Sequence, residues 1–345
     1  MNVLLVSPLP PPSGGMATWT EQYLKDSKNQ NTVYTVNTAF IGKRALHRGR
    51  KMNIFSEVMR LYDILRMYCK ILKGKPVDVI HINSSCSKIG VFRDALCVVL
   101  GRKYPIVFHC HCNIQDQLSS NIARRVGKYI FNSVDYVLVL NKKSLSFVQQ
   151  QSDVKIKLIP NAVDSELIRD SFEVKNNLKN VIYVGHVKRE KGICEIIEAA
   201  CKIKDVVFHL VGPISDEIAA LSMPQNVICH GRKEHKEVIE MMKTADVFLF
   251  PSYTEGFSMV MLEAMATGLP IIASNVGANA DMLESEGGII IEPRSSDEII
   301  QAIASIRNKE IRSKMSKWNL DKVERAYRND VIFKSIQEVY HEISV

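Results

Sequence analysis

The chain has 345 residues, enough for two globular domains, and its 46% apolar and 24% charged residues exclude a mainly disordered, collagen-like or small disulfide-scaffold protein. Its net charge of +8 is uneven, because residues 1–164 carry 23 Lys and Arg against 10 Asp and Glu (+13), whereas residues 165–345 carry 22 against 27 (−5). This asymmetry predicts an anionic partner for the first half: a nucleic acid, a membrane or a phosphate group.

Short apolar runs alternate with amphipathic helical patterns along the whole chain. A first series of strands is predicted at residues 3–7, 32–36, 77–81, 106–111, 136–140 and 157–159. A second series is predicted at residues 181–184, 206–211, 227–229, 247–250, 271–273 and 288–291. Helices are predicted between them, for example at residues 55–72, 88–100, 193–203, 236–243 and 259–266, and after the last strand at 297–317 and from 320 to the end.

This alternation predicts an α/β fold of two parallel sheets covered by helices on both faces. Two Rossmann-like domains are expected, joined near the polar residues 162–177. The last helical pattern, with Phe333, Ile336 and Tyr340 among its apolar residues, is expected to cross back to the first domain. The N-terminus resembles a buried strand rather than a signal peptide, and no apolar stretch approaches the roughly 18 residues of a membrane-spanning helix. A cytoplasmic protein with reduced thiols is therefore expected.

The eight cysteines form no CxxC pair, and the densest group of possible metal ligands is His109-Cys110-His111-Cys112. This segment is predicted to be a strand, in which alternate side chains point to opposite faces. Two histidines on one face and two cysteines on the other cannot converge on one ion. The sequence therefore predicts no structural zinc site here.

Gly14 and Gly15 lie in a Pro-rich loop between the first predicted strand and a helical stretch. In open α/β sheets ligands bind beyond the carboxyl ends of strands, near helix N-termini. Glycine would let the backbone approach a phosphate closely. A stiff turn without a ligand is the alternative, and the glycine pair alone leaves both interpretations open.

Residues 251–270 follow a predicted strand and are the most informative segment. Ser258 is expected to cap the helix at residues 259–266. Glu255 lies in the loop before this helix, and Glu263 lies within it among apolar neighbours. A buried carboxylate needs a polar partner, and sugar hydroxyls would serve. An exposed ion pair at the edge of the helix is the alternative for Glu263.

The Glu255-x7-Glu263 spacing, followed by Ala-Met-Ala-x-Gly-x-Pro, resembles the signature of glycosyltransferase family 4, retaining enzymes of the GT-B fold. The Gly14-Gly15 loop resembles the family's N-terminal glycine loop, and His111 follows the fourth strand, where the family has an acceptor-side histidine. Two further segments resemble the family's segment closing the first domain (residues 159–164) and its donor-phosphate loop (residues 183–192).

This resemblance covers nearly the whole chain and implies two Rossmann-like domains that face each other across a cleft. Residues 1–164 with about 325–345 are expected to bind the acceptor, and residues 165–324 are expected to bind a nucleotide-sugar donor.

The resemblance also implies a role for each matching residue. Glu255 would contact hydroxyls of the transferred sugar, Glu263 would hold the ribose, and Lys191 would neutralise the leaving diphosphate. The implied catalytic residues are His111, Lys191 and Glu255. The implied donor-binding residues, some acting through backbone N–H groups, are Gly14, Gly15, Asn161, Gly185, Arg189, Lys191, Gly256, Phe257, Ser258 and Glu263.

These roles agree with the chemistry of the implied reaction. Breaking a sugar–phosphate bond builds negative charge on the diphosphate, which fixed cations and amide dipoles stabilise. In retaining enzymes of this fold the leaving phosphate is thought to accept the acceptor's proton. No cofactor or metal is then required, consistent with the absence of a DxD cluster.

Two positions depart from the family pattern. His186 stands where the family usually has Arg, and a histidine is only partly charged near neutral pH. Arg189 from the same loop could supply the guanidinium, or Lys191 could act alone. Asp281 stands where a Glu is usual. For His81 a structural role is favoured. For His111 the alternative to an acceptor-side group is a strand-end histidine satisfied by a neighbouring carbonyl.

Residues 41–75 carry ten Lys and Arg against Glu57 and Asp63, together with many apolar and aromatic residues. Part of this stretch belongs to the core, and a solvated face is one interpretation of the rest. A basic, aromatic-bearing helix also suits an anionic bilayer, to which each basic group contributes about 1 kcal/mol. No nucleic-acid partner is expected, because no nucleic-acid-binding module or stacking platform accompanies the basic stripe.

The sequence thus predicts a retaining hexosyl- or N-acetylhexosaminyltransferase that uses a nucleotide-sugar donor. The expected acceptor is a glycan, best a lipid-linked one in bacterial surface polysaccharide synthesis, and the expected location is the inner face of the cell membrane. The alternatives are a nucleotide-sugar epimerase or a glycogen-type synthase of the same fold, or a membrane-associated module that binds nucleotide sugars without catalysis.

Overall fold

A computed structural model describes residues 1–11, 14–28, 30–39 and 54–344 of the chain. The chain divides into two compact units. Unit 1 comprises Met1–Asn161 and Asn329–Val345, and unit 2 comprises Ala162–Arg328. Each has the α/β architecture that the alternation of strands and helices predicts.

Within its described residues, unit 1 is built on a parallel six-stranded sheet in the order β2-β1-β3-β4-β5-β6. The strands are Asn2–Ser7 (β1), Thr32–Asn37 (β2), Val79–Ser84 (β3), Ile106–Cys110 (β4), Tyr136–Val139 (β5) and Lys155–Leu158 (β6). The helices are Gly15–Ser27 (α1), Ile54–Gly74 (α2), Gly90–Gly101 (α3), Ile114–Gln117 (α4), Asn121–Phe131 (α5) and Lys142–Gln149 (α6). The four inner strands are almost wholly buried, as expected for a parallel sheet covered on both faces.

In unit 2, all of whose residues are described, a second parallel six-stranded sheet has the order β12-β11-β10-β7-β8-β9. The strands are Asn180–Val184 (β7), Val207–Val211 (β8), Val227–Gly231 (β9), Val247–Phe250 (β10), Ile271–Ser274 (β11) and Gly288–Ile291 (β12). The helices are Ile193–Lys202 (α7), Asp216–Ala219 (α8), His235–Thr244 (α9), Met259–Ala266 (α10), Asn279–Leu283 (α11), Ser296–Ser305 (α12) and Lys309–Ala326 (α13). Because β7 and β10 are neighbours in the sheet, the loops that follow them start side by side.

The last helix, Asn329–Ile343 (α14), returns to unit 1, as its apolar face predicts. It buries Phe333, Ile336 and Tyr340, and the Tyr340 hydroxyl lies 3.0 Å from that of Tyr23 in α1.

Several predicted element boundaries are wrong. The helix expected from residue 320 to the end is interrupted at Tyr327 and Arg328, between α13 and α14. Two other differences have identifiable reasons. The helical pattern at residues 297–317 is interrupted, because the Asn308 side chain accepts from the Glu310 and Ile311 amides and starts α13, which then continues through the expected break at 318–319. The third strand was expected at residues 77–81 but lies at Val79–Ser84. Its polar end is buried because Asn83 and Ser84 have hydrogen-bond partners in Ser7 and Asp94.

Candidate functional site

The loops that follow β7 and β10 bring together two of the predicted catalytic residues. Lys191 Nζ lies 2.5 Å from Glu255 Oε1, and both side chains are mostly buried, with 24% and 14% exposed. The backbone N–H of Tyr253 donates to the Glu190 carbonyl over 3.0 Å and ties the two loops together. The Lys191 ammonium also lies 5.8 Å from the centre of the Phe250 ring. A cation and a carboxylate are thus held at adjoining strand ends, where open α/β sheets bind ligands.

Glycines allow these loops to pack against neighbouring backbone. Gly192 has a φ of +76°, and a Cβ there would lie 2.2 Å from the Pro251 carbonyl oxygen. Gly277, in the loop after β11, has a φ of +55°, and a Cβ there would lie 2.4 Å and 2.6 Å from the carbonyl oxygens of Glu255 and Gly256. Gly277 is not among the residues predicted to form the site, yet its lack of a side chain lets this loop pack against the backbone that carries Glu255.

The helix α10 begins as predicted, because Ser258 Oγ accepts from the Met261 amide over 3.2 Å. Glu263 has 14% of its side chain exposed, and its Oε1 lies 3.0 Å from Nε2 of His235, the first residue of α9. This partner was not predicted from the sequence. The hydrogen bond to Glu263 raises the pKa of His235 above its usual value. Glu263 is therefore a largely buried carboxylate in contact with a more exposed histidine.

The other residues of the predicted phosphate loop contact groups within unit 2. Gly185 has a φ of +147°, and a Cβ there would lie 2.7 Å from the Tyr183 hydroxyl, which donates to the His186 carbonyl over 2.9 Å. Arg189 precedes Lys191 in a short 3-10 turn, but its Nε lies 2.6 Å from Glu217 and the side chain is 55% exposed. The structure therefore gives the Arg189 guanidinium an acidic partner of its own.

The other predicted site residues belong to unit 1. Gly14 immediately precedes α1 and Gly15 is its first residue, and a Cβ at either would meet nothing within 4 Å. Their neighbours in the loop, Pro12 and Ser13, lie outside the described residues. Asn161 is 4% exposed, and no donor among the described residues hydrogen-bonds to its Oδ1.

The strand predicted at residues 106–111 ends one residue earlier in the structure, at Cys110, so His111 directly follows β4. Its Nε2 lies 3.0 Å from Asn83 Oδ1, so its partner is a side-chain carbonyl on β3. The His111 ring packs between Trp19 and His109, with ring centres 5.0 Å and 4.0 Å away. Burial lowers the pKa of His111 to about 3, so its imidazole is neutral at physiological pH. His81 is fully buried against Tyr340, in agreement with the structural role favoured for it.

Comparison with known proteins identifies the family of the chain. Residues 164–320 match the family model described as glycosyl transferases group 1, and residues 18–167 match the model described as glycosyltransferase family 4. The two matches together span most of the chain.

Curated relatives with 23–27% identity include two named glycosyltransferases. A putative teichuronic acid biosynthesis glycosyltransferase, TuaC of Bacillus subtilis, is 25% identical over 250 residues, which cover 68% of this chain and 62% of that protein. An Escherichia coli UDP-Gal:alpha-D-GlcNAc-diphosphoundecaprenol alpha-1,3-galactosyltransferase is 23% identical over 84% of this chain and 81% of that protein. The chain thus spans somewhat less than two thirds of TuaC.

Solved structures show the fold. Anabaena Alr3699/HepE in complex with UDP superposes with a TM-score of 0.79 at 18% identity, covering 99% of this chain and 100% of that one. The sucrose-phosphate synthase of Thermosynechococcus elongatus superposes with a TM-score of 0.78 at 18% identity, covering 99% and 98%. With its two parallel six-stranded sheets, the chain is a GT-B enzyme that belongs to the group 1, family 4 glycosyltransferases.

Proposed function

We propose that the chain transfers a hexosyl or N-acetylhexosaminyl group from a nucleotide-diphosphate sugar bound by unit 2 to an acceptor bound by unit 1. The observation that carries this proposal is the Lys191–Glu255 pair at the carboxyl ends of β7 and β10. The HepE structures, which hold UDP and UDP-glucose, support a donor of this chemical class.

In this proposal the two charges serve opposite ends of the donor. Lys191 stabilises the diphosphate as negative charge develops on it, and Glu255 accepts hydrogen bonds from hydroxyls of the sugar. Each is now the other's partner, so donor binding replaces an internal ion pair by two interactions with ligand. Glu263 accepts a hydrogen bond from the ribose, and the backbone N–H groups of Phe257 and Ser258 face the donor from the N-terminus of α10.

We propose that the reaction retains the configuration at the anomeric carbon. The bond from that carbon to the phosphate oxygen breaks, and the bond to the acceptor oxygen forms on the same face. The acceptor's proton passes to the departing phosphate oxygen. These steps need no cofactor or metal, and His111, held neutral by burial, serves as a hydrogen-bonding group for the acceptor.

We propose a lipid-linked glycan of a bacterial surface polysaccharide (capsule, O-antigen or exopolysaccharide) as the acceptor. Relatives named for such chemistry support it, among them the E. coli enzyme acting on a diphosphoundecaprenol and a Staphylococcus aureus capsular polysaccharide glycosyltransferase, CapM. A soluble glucan acceptor would indicate a glycogen-type synthase, and donor conversion without any acceptor would indicate an epimerase. Tight donor binding with no turnover on any acceptor would indicate a non-catalytic module.

An exposed apolar face in unit 1 supports peripheral attachment to the inner face of the cell membrane. A groove of about 380 Å³ between α3 and α5 is lined by Phe92, Ala95, Leu96, Val99, Arg125, Val126 and Tyr129. Phe92 also lines a second groove, of about 200 Å³, against α2, where Val58 is 57% exposed. None of the helices in the described ranges is long and apolar enough to cross a membrane. The face therefore suits contact with a bilayer surface rather than insertion across it.

The charges on this face are complementary to anionic lipid. The exposed charges of α5 are Arg124, Arg125 and Lys128, and the acid of α3, Asp94, is buried 2.6 Å from Arg93. A second copy of the same face would oppose like charges, so we favour an anionic bilayer as its partner. Five basic residues of the stretch first expected to bind membrane (Lys43, Arg44, Arg48, Arg50 and Lys51) lie outside the described residues.

Vesicle binding tests the membrane part of the proposal. We expect sedimentation with phosphatidylglycerol vesicles but not with phosphatidylcholine vesicles, and a loss of about tenfold or more in the Phe92→Ser/Arg125→Glu variant. Ile228→Ser, which changes a 43% exposed apolar residue of unit 2, is the matched control. Equal binding of wild type and Phe92→Ser/Arg125→Glu would refute this face as the attachment surface.

Sugar transfer tests the catalytic part. Glu255→Ala and Lys191→Ala should each lower turnover of the nucleotide sugar by about 10²-fold or more, because each removes charge stabilisation at the reacting bond. Lys202→Ala is the control, since this exposed lysine of unit 2 pairs with Asp297 on the surface. Unchanged turnover in both site variants would refute the assigned roles.

A further inference from the structure

A chain of hydrogen bonds in unit 1 leads from the first turn of α1 to the ring of His111. Thr20 Oγ1 donates to the Met16 carbonyl over 2.8 Å, and Ser7 Oγ lies 2.6 Å from Thr20 Oγ1. Asn83 Nδ2 donates to Ser7 Oγ over 2.9 Å, and Asn83 Oδ1 lies 3.0 Å from His111 Nε2. Thr20 and Asn83 are fully buried and Ser7 is 2% exposed, so the chain is shielded from water.

The donors and acceptors fix the direction of this chain. A hydroxyl has one proton, and Thr20 gives its proton to Met16, so the Ser7 hydroxyl must donate to Thr20. The Ser7 oxygen then accepts from the Asn83 amide. In this orientation of the Asn83 carboxamide its oxygen faces His111 and carries no proton, which assigns the hydrogen of this contact to Nε2.

We infer that Asn83 is a positioning residue that holds His111 as the neutral Nε2–H tautomer and leaves the Nδ1 lone pair to accept a hydrogen bond from a hydroxyl of the acceptor. This inference rests on the proposed function. His111 neither gains nor loses a proton in the reaction, since the acceptor's proton passes to the departing phosphate oxygen.

The surroundings of His111 fit a ligand rich in hydroxyl donors. Trp19 and His109 pack against the ring and limit its rotation. The Asn161 side chain lies within hydrogen-bonding reach of the ring, where it raises the pKa of His111 against the larger effect of burial, and no described donor satisfies its buried Oδ1. In the Nε2–H tautomer, His111 Nδ1 and Asn161 Oδ1 are two neighbouring hydrogen-bond acceptors. Hydroxyl groups of a sugar could donate to both.

The ¹⁵N NMR spectrum of the full chain with labelled histidine tests the tautomer directly. We expect the Nε2–H form of His111 in the wild type, a mixture of tautomers in Asn83→Leu, and the Nε2–H form again in Asn83→Asp, whose carboxylate can also accept from Nε2. A merely structural role of Asn83 would not produce this pattern. Asn132→Leu, which removes an exposed carboxamide of unit 1, is the control and should leave the spectrum unchanged.

Transfer kinetics give the functional readout. Asn83→Leu should lower kcat/KM for the acceptor by about tenfold, roughly the effect of one misplaced hydrogen bond, while KM for the donor stays the same. Asn83→Asp should recover most of the loss. An Nδ1–H tautomer in the wild type, or an unchanged tautomer and unchanged acceptor kinetics in Asn83→Leu, would overturn the inference.

The two kinds of failure are distinguishable. A wild-type protein that turns over no nucleotide sugar would refute the proposed function, whereas the His111 spectrum tests the role of Asn83 without any turnover. If Asn83→Leu does not fold, the wild-type tautomer and the Asn83→Asp kinetics still decide the matter.

Discussion

Replacing Gly277 by Ala should damage the proposed donor site without changing any side chain assigned to it. Gly277 has a φ of +55°, and the new Cβ would lie 2.4 Å from the Glu255 carbonyl oxygen and 2.6 Å from that of Gly256. Contacts of a Cβ below 3.0 Å essentially never occur, so the backbone must separate by at least 0.6 Å and 0.4 Å at the two oxygens. The hydrogen bond from the Ala278 amide to the Gly256 carbonyl, at 2.9 Å, holds the loops together at the same place.

Gly231 offers a matched control in the same unit. It has a φ of +66°, but a Cβ there would meet nothing within 4 Å. Both Ala variants therefore incur about 1–2 kcal/mol of left-handed backbone strain, and only Gly277→Ala also displaces the loop that carries Glu255.

The displacement sets the expected magnitude. A misplacement of about 1 Å at a reacting centre costs about 10²-fold in rate, so a shift of about half that size should lower kcat by about tenfold. The assay is transfer of labelled sugar under saturating donor, with the melting temperature recorded for both variants. Equal kcat in Gly277→Ala and Gly231→Ala, at similar stability, would refute the claim that this loop positions Glu255.

Two further predictions concern stability. The raised pKa of His235 means that its ion pair with Glu263 is fully present below the unfolded pKa of about 6.5 and is lost as the pH rises through the folded pKa. Wild type should therefore exceed His235→Gln in melting temperature by more at pH 5.5 than at pH 8.5, and a pH-independent difference would contradict the pairing. Arg312 is fully buried and donates to the carbonyls of Lys175 and Ile306 at 2.6 Å and 2.7 Å, so Arg312→Leu should destabilise unit 2 by about 3 kcal/mol in urea unfolding. A loss below about 1 kcal/mol would show that water replaces the guanidinium.

The fold could be predicted from the sequence because alternating apolar runs and helical patterns report which faces are buried. The predicted helix at residues 259–266 agrees with the structure at both ends, since Ser258 caps it. The predicted ends of elements were wrong where polar side chains are buried by hydrogen bonds to residues distant in the sequence. The third strand extends to Ser84 because Asp94, ten residues later, accepts from its hydroxyl.

Residues of the candidate site could be predicted only where a single segment of the sequence contains a recognisable motif. Resemblance to a family identified Lys191 and Glu255, although nothing in their separate segments states that they meet. The partner of Glu263, His235, lies 28 residues away on a different helix, so no local pattern signals their contact. The polar residues His81, Asn83 and Ser84 of β3 were the available signal for the chain of hydrogen bonds that leads to His111.

The basic first half and the acidic second half of the sequence correspond to different surface features of units 1 and 2. Arg125 lines the exposed apolar groove between α3 and α5 in unit 1, whereas unit 2 holds its predicted donor-site cation, Lys191, against a carboxylate. Local groups rather than net charge are therefore expected to attract the diphosphate to unit 2.

Binding of nucleoside diphosphates to the wild-type chain and to Lys191→Ala tests the central claim most directly. In a thermal-shift panel, the correct nucleotide at 100 times its Kd should stabilise the wild type by about 2.7 kcal/mol. Lys191→Ala should need at least about tenfold more of the same nucleotide for the same shift, because it lacks a charged partner for the diphosphate. Absence of a shift with every nucleoside diphosphate and nucleotide sugar would contradict the account.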